Sequence, residues 1–171
     1  VGLAGFLLGG GLGINCDAWG GMSTFNILAL DVITADGQLL HVSETENPEL
    51  LWAARGGGPC LFFVVVRFHL KVWPAPKAML SRGYPVEAAN LKHLLMALGG
   101  RSDDPRVQIM LVLGGAAGVP VALSASVFCE DSAQAVALHE ALRADIDPWV
   151  GEFAEQVLDS FDPIYRQTEQ A

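Results

Sequence analysis

Basic residues are scarce in this sequence, and the first 54 residues contain no lysine or arginine. The chain of 171 residues has 10 basic and 19 acidic side chains, which gives a formal net charge of −9. Nucleic acids and anionic membranes are bound by basic surfaces that neutralise phosphate groups. The charge therefore predicts that the protein binds neither. A phosphate bound near the amino end must be held by backbone N–H groups or by another part of the protein.

The sequence also lacks the patterns that mark several other protein classes. Its three cysteines, Cys16, Cys60 and Cys129, are odd in number and show no CxxC spacing, which argues against a disulfide framework or a zinc site. No apolar run reaches the length of a membrane span, and no basic segment precedes an apolar one. We therefore predict a soluble, cytoplasmic protein. Because the chain begins at Val1 rather than methionine, the sequence leaves a preceding signal peptide open.

Hydrophobic patterns predict strands and a hairpin in the first third of the chain. Residues 1–13 predict a short apolar strand interrupted by glycines, and residues 14–25 predict a loop. Asp36-Gly37 lies between the apolar runs 26–34 and 38–42, a pattern that is typical of a tight β-hairpin.

A short helix and a long strand are predicted to follow the hairpin. Asn47-Pro48-Glu49 begins the helix, with Asn47 as its capping residue, and Gly56 ends it. The next strand alternates in polarity, and its predicted apolar face consists of Val64, Val66, Phe68, Leu70 and Val72.

Pro74-Ala75-Pro76 predicts a hinge, so we place one domain over residues 1–76 and a second over residues 77–171. The second domain has the order β-α-β-β-α, which suits an α+β fold with helices on one face of an antiparallel sheet. Residues 148–171 predict a polar amphipathic tail. The strands are predicted over residues 78–84, 106–113 and 119–128, and the helices over residues 86–98 and 131–143.

Glycines form two clusters, Gly9-Gly10-Gly11 and Gly56-Gly57-Gly58. Consecutive glycines let backbone N–H groups surround an anion and let the backbone approach a ligand closely. Their spacing fits neither the G-x-G-x-x-G fingerprint nor a P-loop. By composition alone, the simpler interpretation that these glycines only form tight turns is slightly favoured.

The sequence predicts no metal site and no catalytic residue. Histidines His41, His69, His93 and His139 are scattered, and no two of them have the i, i+4 spacing of a helical metal site. We interpret them as structural or surface side chains. A Ser-His-Asp grouping and a nucleophile elbow are both absent from the sequence.

Five motifs in the first 70 residues together resemble one protein family. In chain order they are VGLAG (1–5), LGGGLG (8–13), VITADG (32–37), ENPELLWAARGGGP (46–59) and VVVRFHL (64–70). In this order they resemble FAD-linked oxidases whose FAD-binding domain is of the para-cresol methylhydroxylase (PCMH) type. Within the vanillyl-alcohol oxidase superfamily, the berberine-bridge-enzyme-like oxidoreductases are the most similar.

The resemblance implies the second half of a PCMH-type FAD-binding domain, followed by the start of an antiparallel-sheet substrate domain. It implies FAD as the cofactor and a small organic substrate, such as an alcohol, a sugar or an amine, that is oxidised by hydride transfer to the flavin. The implied FAD contacts are Gly2, Leu3, Ala4, Gly5, Gly9, Gly10 and Val65, with Val64 as the alternative to Val65 at the adenine end.

Other parts of the family's sequence have no counterpart among these residues. The resemblance therefore implies a partial chain, which needs amino- and carboxyl-terminal parts of the same protein and which alone binds FAD weakly and is inactive. Asp17 occupies a position where many relatives are basic, and Cys60-Leu61-Phe62-Phe63 differs from the family pattern. The alternative hypothesis is a non-catalytic module of the same fold, either decayed or assembled with a partner chain. Neither the substrate, the electron acceptor, the mode of FAD attachment nor the oligomeric state follows from the sequence.

Overall fold

The computed structural model describes residues 2–100, 104–114 and 121–158. The chain forms two compact units, Val1–Pro74 (unit 1) and Ala75–Ala171 (unit 2). Each unit contains one antiparallel sheet with its own hydrophobic core. The α+β class with antiparallel sheets, predicted from the sequence, is confirmed. In the described residues, no helix is long and apolar enough to cross a membrane.

Unit 1 is a three-stranded sheet of order β2-β1-β3 with two short helices. Its core is formed by buried residues from both helices and the strands, including Leu7, Leu30, Val42 and Leu51. The elements are α1 (Leu3–Leu8), β1 (Ile27–Ile33), β2 (Leu39–Ser43), α2 (Pro48–Ala54) and β3 (Val64–Leu70).

The predicted hairpin and helix of unit 1 are confirmed, with one correction at the helix cap. Gly37 has φ +80° in the turn, and its amide donates to the Thr34 carbonyl at 2.9 Å. Gly56, with φ +115°, ends α2 as expected. Asn47, in contrast, does not cap α2 with its side chain. Its Nδ2 donates instead to the His41 carbonyl at 2.7 Å, which fastens the start of the helix to β2.

The strand predicted over residues 1–13 is wrong, because Leu3–Leu8 is a helix. Leu, Ala and Phe are compatible with a helix, and Leu7 anchors this one in the core of unit 1. The following glycines stop it, since Gly10 has φ +107° and Gly11 has φ +68°. An apolar run of this length does not by itself distinguish a strand from a buried helix.

The predicted alternation along β3 is also wrong at Val64 and Val66, whose side chains are exposed. Asp31 pairs with Arg67 but Val32 pairs with Val65, so Val66 is an extra residue in the strand. Such a β-bulge reverses the faces of the residues on one side of it. Phe68 and Leu70 therefore pack on the core as predicted, whereas Val65 replaces Val64 and Val66.

Unit 2 is a four-stranded sheet of order β5-β6-β4-β7, and both of its helices pack on one face. On that face Leu80 and Tyr84 of one strand lie beside Val127 and Leu123 of the next, below Leu94 and Leu142 of the helices. The elements are β4 (Ala78–Val86), α3 (Leu91–Gly99), β5 (Val107–Val112), β6 (Val121–Cys129), α4 (Ser132–Ile146) and β7 (Ala154–Leu158).

Two predictions in unit 2 need correction, and one is confirmed. The helix predicted from residue 86 begins at Leu91, because β4 continues to Val86. The tail predicted from residue 148 contains strand β7, which pairs with β4. Asp131 caps α4 as predicted, accepting from the Gln134 amide at 2.8 Å. Residues 119–120 of a predicted strand and residues 159–171 of the predicted tail lie outside the described residues.

Candidate functional site

The two glycine clusters, about 47 residues apart in the sequence, lie together in unit 1. The Gly56 amide donates to the Leu8 carbonyl at 3.1 Å, which joins the end of α2 to the end of α1. A Cβ added to Gly58 would lie 3.7 Å from the Gly9 Cα. The structure therefore makes one glycine-rich surface from two separate motifs.

Several of these glycines are required by the fold of unit 1 itself. A Cβ on Gly11 would lie 2.7 Å from Cε1 and 2.9 Å from the carbonyl oxygen of Phe6. A Cβ on Gly57 would collide with the Ala53 carbonyl oxygen. Gly10 and Gly11 also have positive φ angles. For these positions the simpler interpretation, tight turns, is sufficient.

Gly2 and Gly5 are different. Apart from their chain neighbours and the backbone of their own helix, no atom of the described residues lies within 4 Å of a Cβ added at either position. Both glycines are exposed, and their neighbours Leu3, 62% exposed, and Ala4 are exposed as well. Gly5 lies inside α1, where glycine costs roughly 0.5–1 kcal/mol relative to alanine. Unit 1 thus has an open helix surface, with space beside both glycines, that the packing of the described residues does not explain.

The anion site expected from consecutive glycine amides is not formed at Gly9 and Gly10. The Gly9 amide donates to the Gly5 carbonyl at 3.0 Å, and the Gly10 amide donates to the Leu7 carbonyl at 3.3 Å. The Gly10 carbonyl accepts from the Thr24 amide at 2.9 Å. These groups serve the end of α1. Gly9 is exposed, so a ligand can approach its backbone, whereas Gly10 is buried and a Cβ added there would collide with the Met22 side chain. A cofactor contact at Gly10 stays a prediction.

Val65, predicted at the adenine end of the cofactor, is half-buried in β3 and packs against the core of unit 1. Leu7 of α1 belongs to the same core. Val64, the alternative, is 64% exposed. An adenine contact by the side chain therefore suits Val64 better, and the contact stays a prediction at either residue.

A cleft of about 750 Å³ lies beside α2 and includes Trp52, whose side chain is 81% exposed. Arg55 lines this cleft and was not singled out from the sequence. Its guanidinium donates to the Ile27 carbonyl at 2.8 Å and lies 3.6 Å from Glu44 Oε1. The sequence feature that could have drawn attention to Arg55 is its position as the first basic residue of the chain. These contacts indicate that Arg55 holds β1 and α2 together.

In unit 2 the buried Arg82 pairs with two acidic side chains. Arg82 is 5% exposed, and it donates to Glu140 Oε1 at 2.7 Å and to Glu155 Oε2 at 2.8 Å. The hydrogen bond from Arg82 lowers the pKa of Glu140, and burial raises the pKa of Tyr84. Arg82 and Tyr84 are buried, whereas the side chains of Glu140 and Glu155 are 56% and 37% exposed, so these ion pairs lie at the boundary of the core and suit a structural role.

The curated relatives of this chain include several FAD-linked oxidoreductases. FAD-linked oxidoreductase nodO of Hypoxylon pulicicidum is 49% identical over 113 residues, which cover 64% of this chain and 25% of the relative. FAD-linked oxidoreductase penO of Penicillium crustosum is 48% identical over 75 residues, which cover 44% of this chain and 16% of the relative. The chain is homologous to part of the FAD-linked oxidoreductases. The family resemblance predicted from the five motifs is thereby confirmed.

Solved structures of flavoprotein oxidases share the fold. Xylooligosaccharide oxidase of Myceliophthora thermophila C1 matches 97% of this chain with a TM-score of 0.76 and 28% identity. The berberine-bridge-enzyme-like protein 1 of Physcomitrella patens matches 99% of it with a TM-score of 0.79 and 21% identity. This chain spans about a third of each solved chain, 35% and 36%. No family model matches the sequence.

Proposed function

We propose that this chain contributes to an FAD-dependent oxidoreductase that oxidises a small organic substrate. The observation that carries the proposal is the open α1 surface of Gly2 and Gly5, adjoining the joined glycine clusters. The homology to FAD-linked oxidoreductases supports it. When bound, the flavin would accept a hydride from the substrate, which is chemistry that the protein's own side chains do not supply.

In this proposal unit 1 is the carboxyl-terminal part of the FAD-binding domain. The residues present fit a flat, apolar ligand, because α1 exposes Leu3 and Ala4 between two glycines that leave space around them. Gly9, which is exposed, would admit the cofactor close to the backbone, whereas Gly10 is buried behind the Met22 side chain. Because residues 1–54 carry no basic side chain, the phosphates of FAD would be neutralised by groups outside this segment.

Unit 2 is proposed to be the start of the substrate domain. Its polar residues Arg82, Tyr84 and His139 are buried in the part of unit 2 that the structure describes. The substrate-contacting groups would therefore come from other residues of the protein. Xylooligosaccharide oxidase among the solved relatives makes sugars one reasonable class of substrate to test, beside alcohols and amines.

The direct experiment is to express the complete gene and to record the visible spectrum of the purified protein. We expect flavin absorption bands, which bleach when an oxidisable alcohol, sugar or amine is added without oxygen. The 171-residue chain should quench FAD fluorescence only weakly. Submicromolar FAD binding by this chain alone would contradict a divided cofactor site.

The same experiment distinguishes the alternative, a non-catalytic module of this fold. A colourless protein from the complete gene, which gains no flavin when FAD is added, would refute the proposal. Flavin binding that requires a separately expressed chain would instead indicate a module that assembles with a partner.

A further inference from the structure

Three potential metal ligands lie side by side on three adjacent strands of unit 1. Asp31 lies on β1, His41 on β2 and His69 on β3. Asp31 Oδ1 is 2.9 Å from His41 Nδ1, and Asp31 Oδ2 is 3.7 Å from His69 Nε2. Taking one ligand atom from each residue, all three atoms lie within 4.8 Å of one another. Among the described residues, this is the one group of three such side chains.

Strand register explains why these side chains meet. Asp31 pairs directly with His41, so both side chains project from the same face of the sheet. His69 pairs with Ala29, two residues before Asp31 and on that same face. The central carboxylate therefore has one histidine on each side. The two imidazole rings lie 5.7 Å apart between centroids, on the sheet face opposite the core residues Leu30 and Val32.

We propose that Asp31, His41 and His69 form a site for a divalent transition-metal cation. Bonds of 2.0–2.2 Å at tetrahedral or octahedral angles place neighbouring ligand atoms about 3.0–3.5 Å apart. The observed 2.9 and 3.7 Å lie close to that range, but they involve the two different oxygens of Asp31. All three ligand atoms lie within 4.8 Å of one another, so side-chain rotations must bring them closer together around one cation. Two imidazoles and one carboxylate favour zinc, nickel, copper or iron over magnesium and calcium.

The surroundings leave the remaining coordination positions to water. Both histidine side chains are about half-exposed, 45% for His41 and 43% for His69, whereas Asp31 is 20% exposed. The three ligands lie on β1, β2 and β3, whereas the open glycines of the proposed flavin surface lie at and within α1. Of the predicted cofactor contacts, Val65 or its alternative Val64 shares strand β3 with His69.

Arg67 is the competitor for the carboxylate. Its NH1 lies 3.4 Å from Asp31 Oδ2, and its side chain is 70% exposed, so it is free to leave when a cation arrives. An ion-pair cluster and a metal site therefore predict different effects of removing the Arg67 charge. Removing the Arg67 charge should weaken a cluster that exists only as ion pairs, but it should strengthen the binding of a cation.

The test is calorimetric titration of the tag-free full chain with zinc chloride, repeated with magnesium chloride. We expect one zinc ion per chain and no binding of magnesium. His41→Gln and His69→Gln should each weaken zinc binding by at least roughly 10- to 100-fold, since even loss of an outer-shell partner of a ligand costs that much. Arg67→Gln should tighten it. The matched control is His93→Gln, at an exposed histidine of unit 2, and it should leave the affinity unchanged.

Several results would overturn the site. The site is refuted if the unmodified chain does not bind zinc. It is also refuted if His69→Gln binds zinc as strongly as the unmodified chain does. Weaker binding by Arg67→Gln would also contradict it. If a histidine variant fails to fold, as judged by circular dichroism, the stoichiometry of the unmodified chain and the direction of the Arg67→Gln change still decide. Cobalt(II) absorption gives a second readout. Cobalt bound by these ligands should have more intense visible bands than free cobalt has.

Discussion

Replacing Gly5 by alanine should strengthen unit 1 and weaken flavin binding at the same time. Gly5 lies within α1, and beyond its chain neighbours and its own helix backbone no atom of the described residues is within 4 Å of a Cβ added there. The new methyl group therefore meets no obstacle in unit 1. It would, however, occupy the surface on which we place the flavin.

The two effects have different sizes. Alanine is favoured over glycine inside a helix by roughly 0.5–1 kcal/mol. For a folded unit of 60–100 residues, that corresponds to a rise in Tm of about 2–8 °C. A methyl group forced into a packed contact costs about 1–3 kcal/mol, which raises the Kd for FAD about 5- to 140-fold at 1.4 kcal/mol per factor of ten.

The assay has two arms and one matched control. Thermal unfolding of the 171-residue chain measures the stability, and FAD fluorescence quenching with the complete protein measures the Kd. Gly99→Ala is the control, because Gly99 ends α3 in unit 2 and also has open space around its added Cβ. It should leave the Kd for FAD unchanged. An unaltered Kd in Gly5→Ala would refute the placement of the flavin on α1.

Three further predictions concern stability. Gly57→Ala should destabilise unit 1 by about 1–3 kcal/mol in urea unfolding, because its Cβ would collide with the Ala53 carbonyl oxygen. Asp131→Ala should cost about 1 kcal/mol in unit 2, because the hydrogen bond to the Gln134 amide is lost. Burial lowers the pKa of His139 below its usual value, so unfolding takes up a proton below about pH 6.5. The free energy of unfolding of unit 2 should therefore be highest above that pH and fall as pH decreases towards the folded-state pKa, and His139→Gln should reduce this fall.

Each of these predictions has its own control. Gly2→Ala should be tolerated where Gly57→Ala is not, since Gly2 has open space; equal losses would contradict the steric explanation. Glu130→Ala removes only an exposed pair with Lys77 and should cost much less than Asp131→Ala. The control for His139→Gln is the unmodified chain, and an unchanged slope in the variant would show that other groups cause the pH dependence of unfolding.

Local signals predicted the hairpin of unit 1 and the helix α4 correctly. Asp36-Gly37 fixes a turn because glycine adopts positive φ without strain, and Asp131 caps its helix through a hydrogen bond three residues away. Both outcomes depend on neighbours in the sequence. Helix α1 was missed because its apolar residues fit either a strand or a helix, and Leu7 packing into the core decided between them.

The sequence by itself determined the family resemblance, the acidic charge and the elements that begin or end at glycine, proline or aspartate. Only the tertiary structure separated the glycines that unit 1 needs from Gly2 and Gly5, because that difference depends on which atoms surround each Cα. Only strand pairing brought Asp31, His41 and His69 together, since it joins Asp31 to His41, 10 positions away, and Ala29 to His69, 40 positions away. The spacing of residues along the chain shows neither which atoms surround a glycine nor which residues lie on adjacent strands.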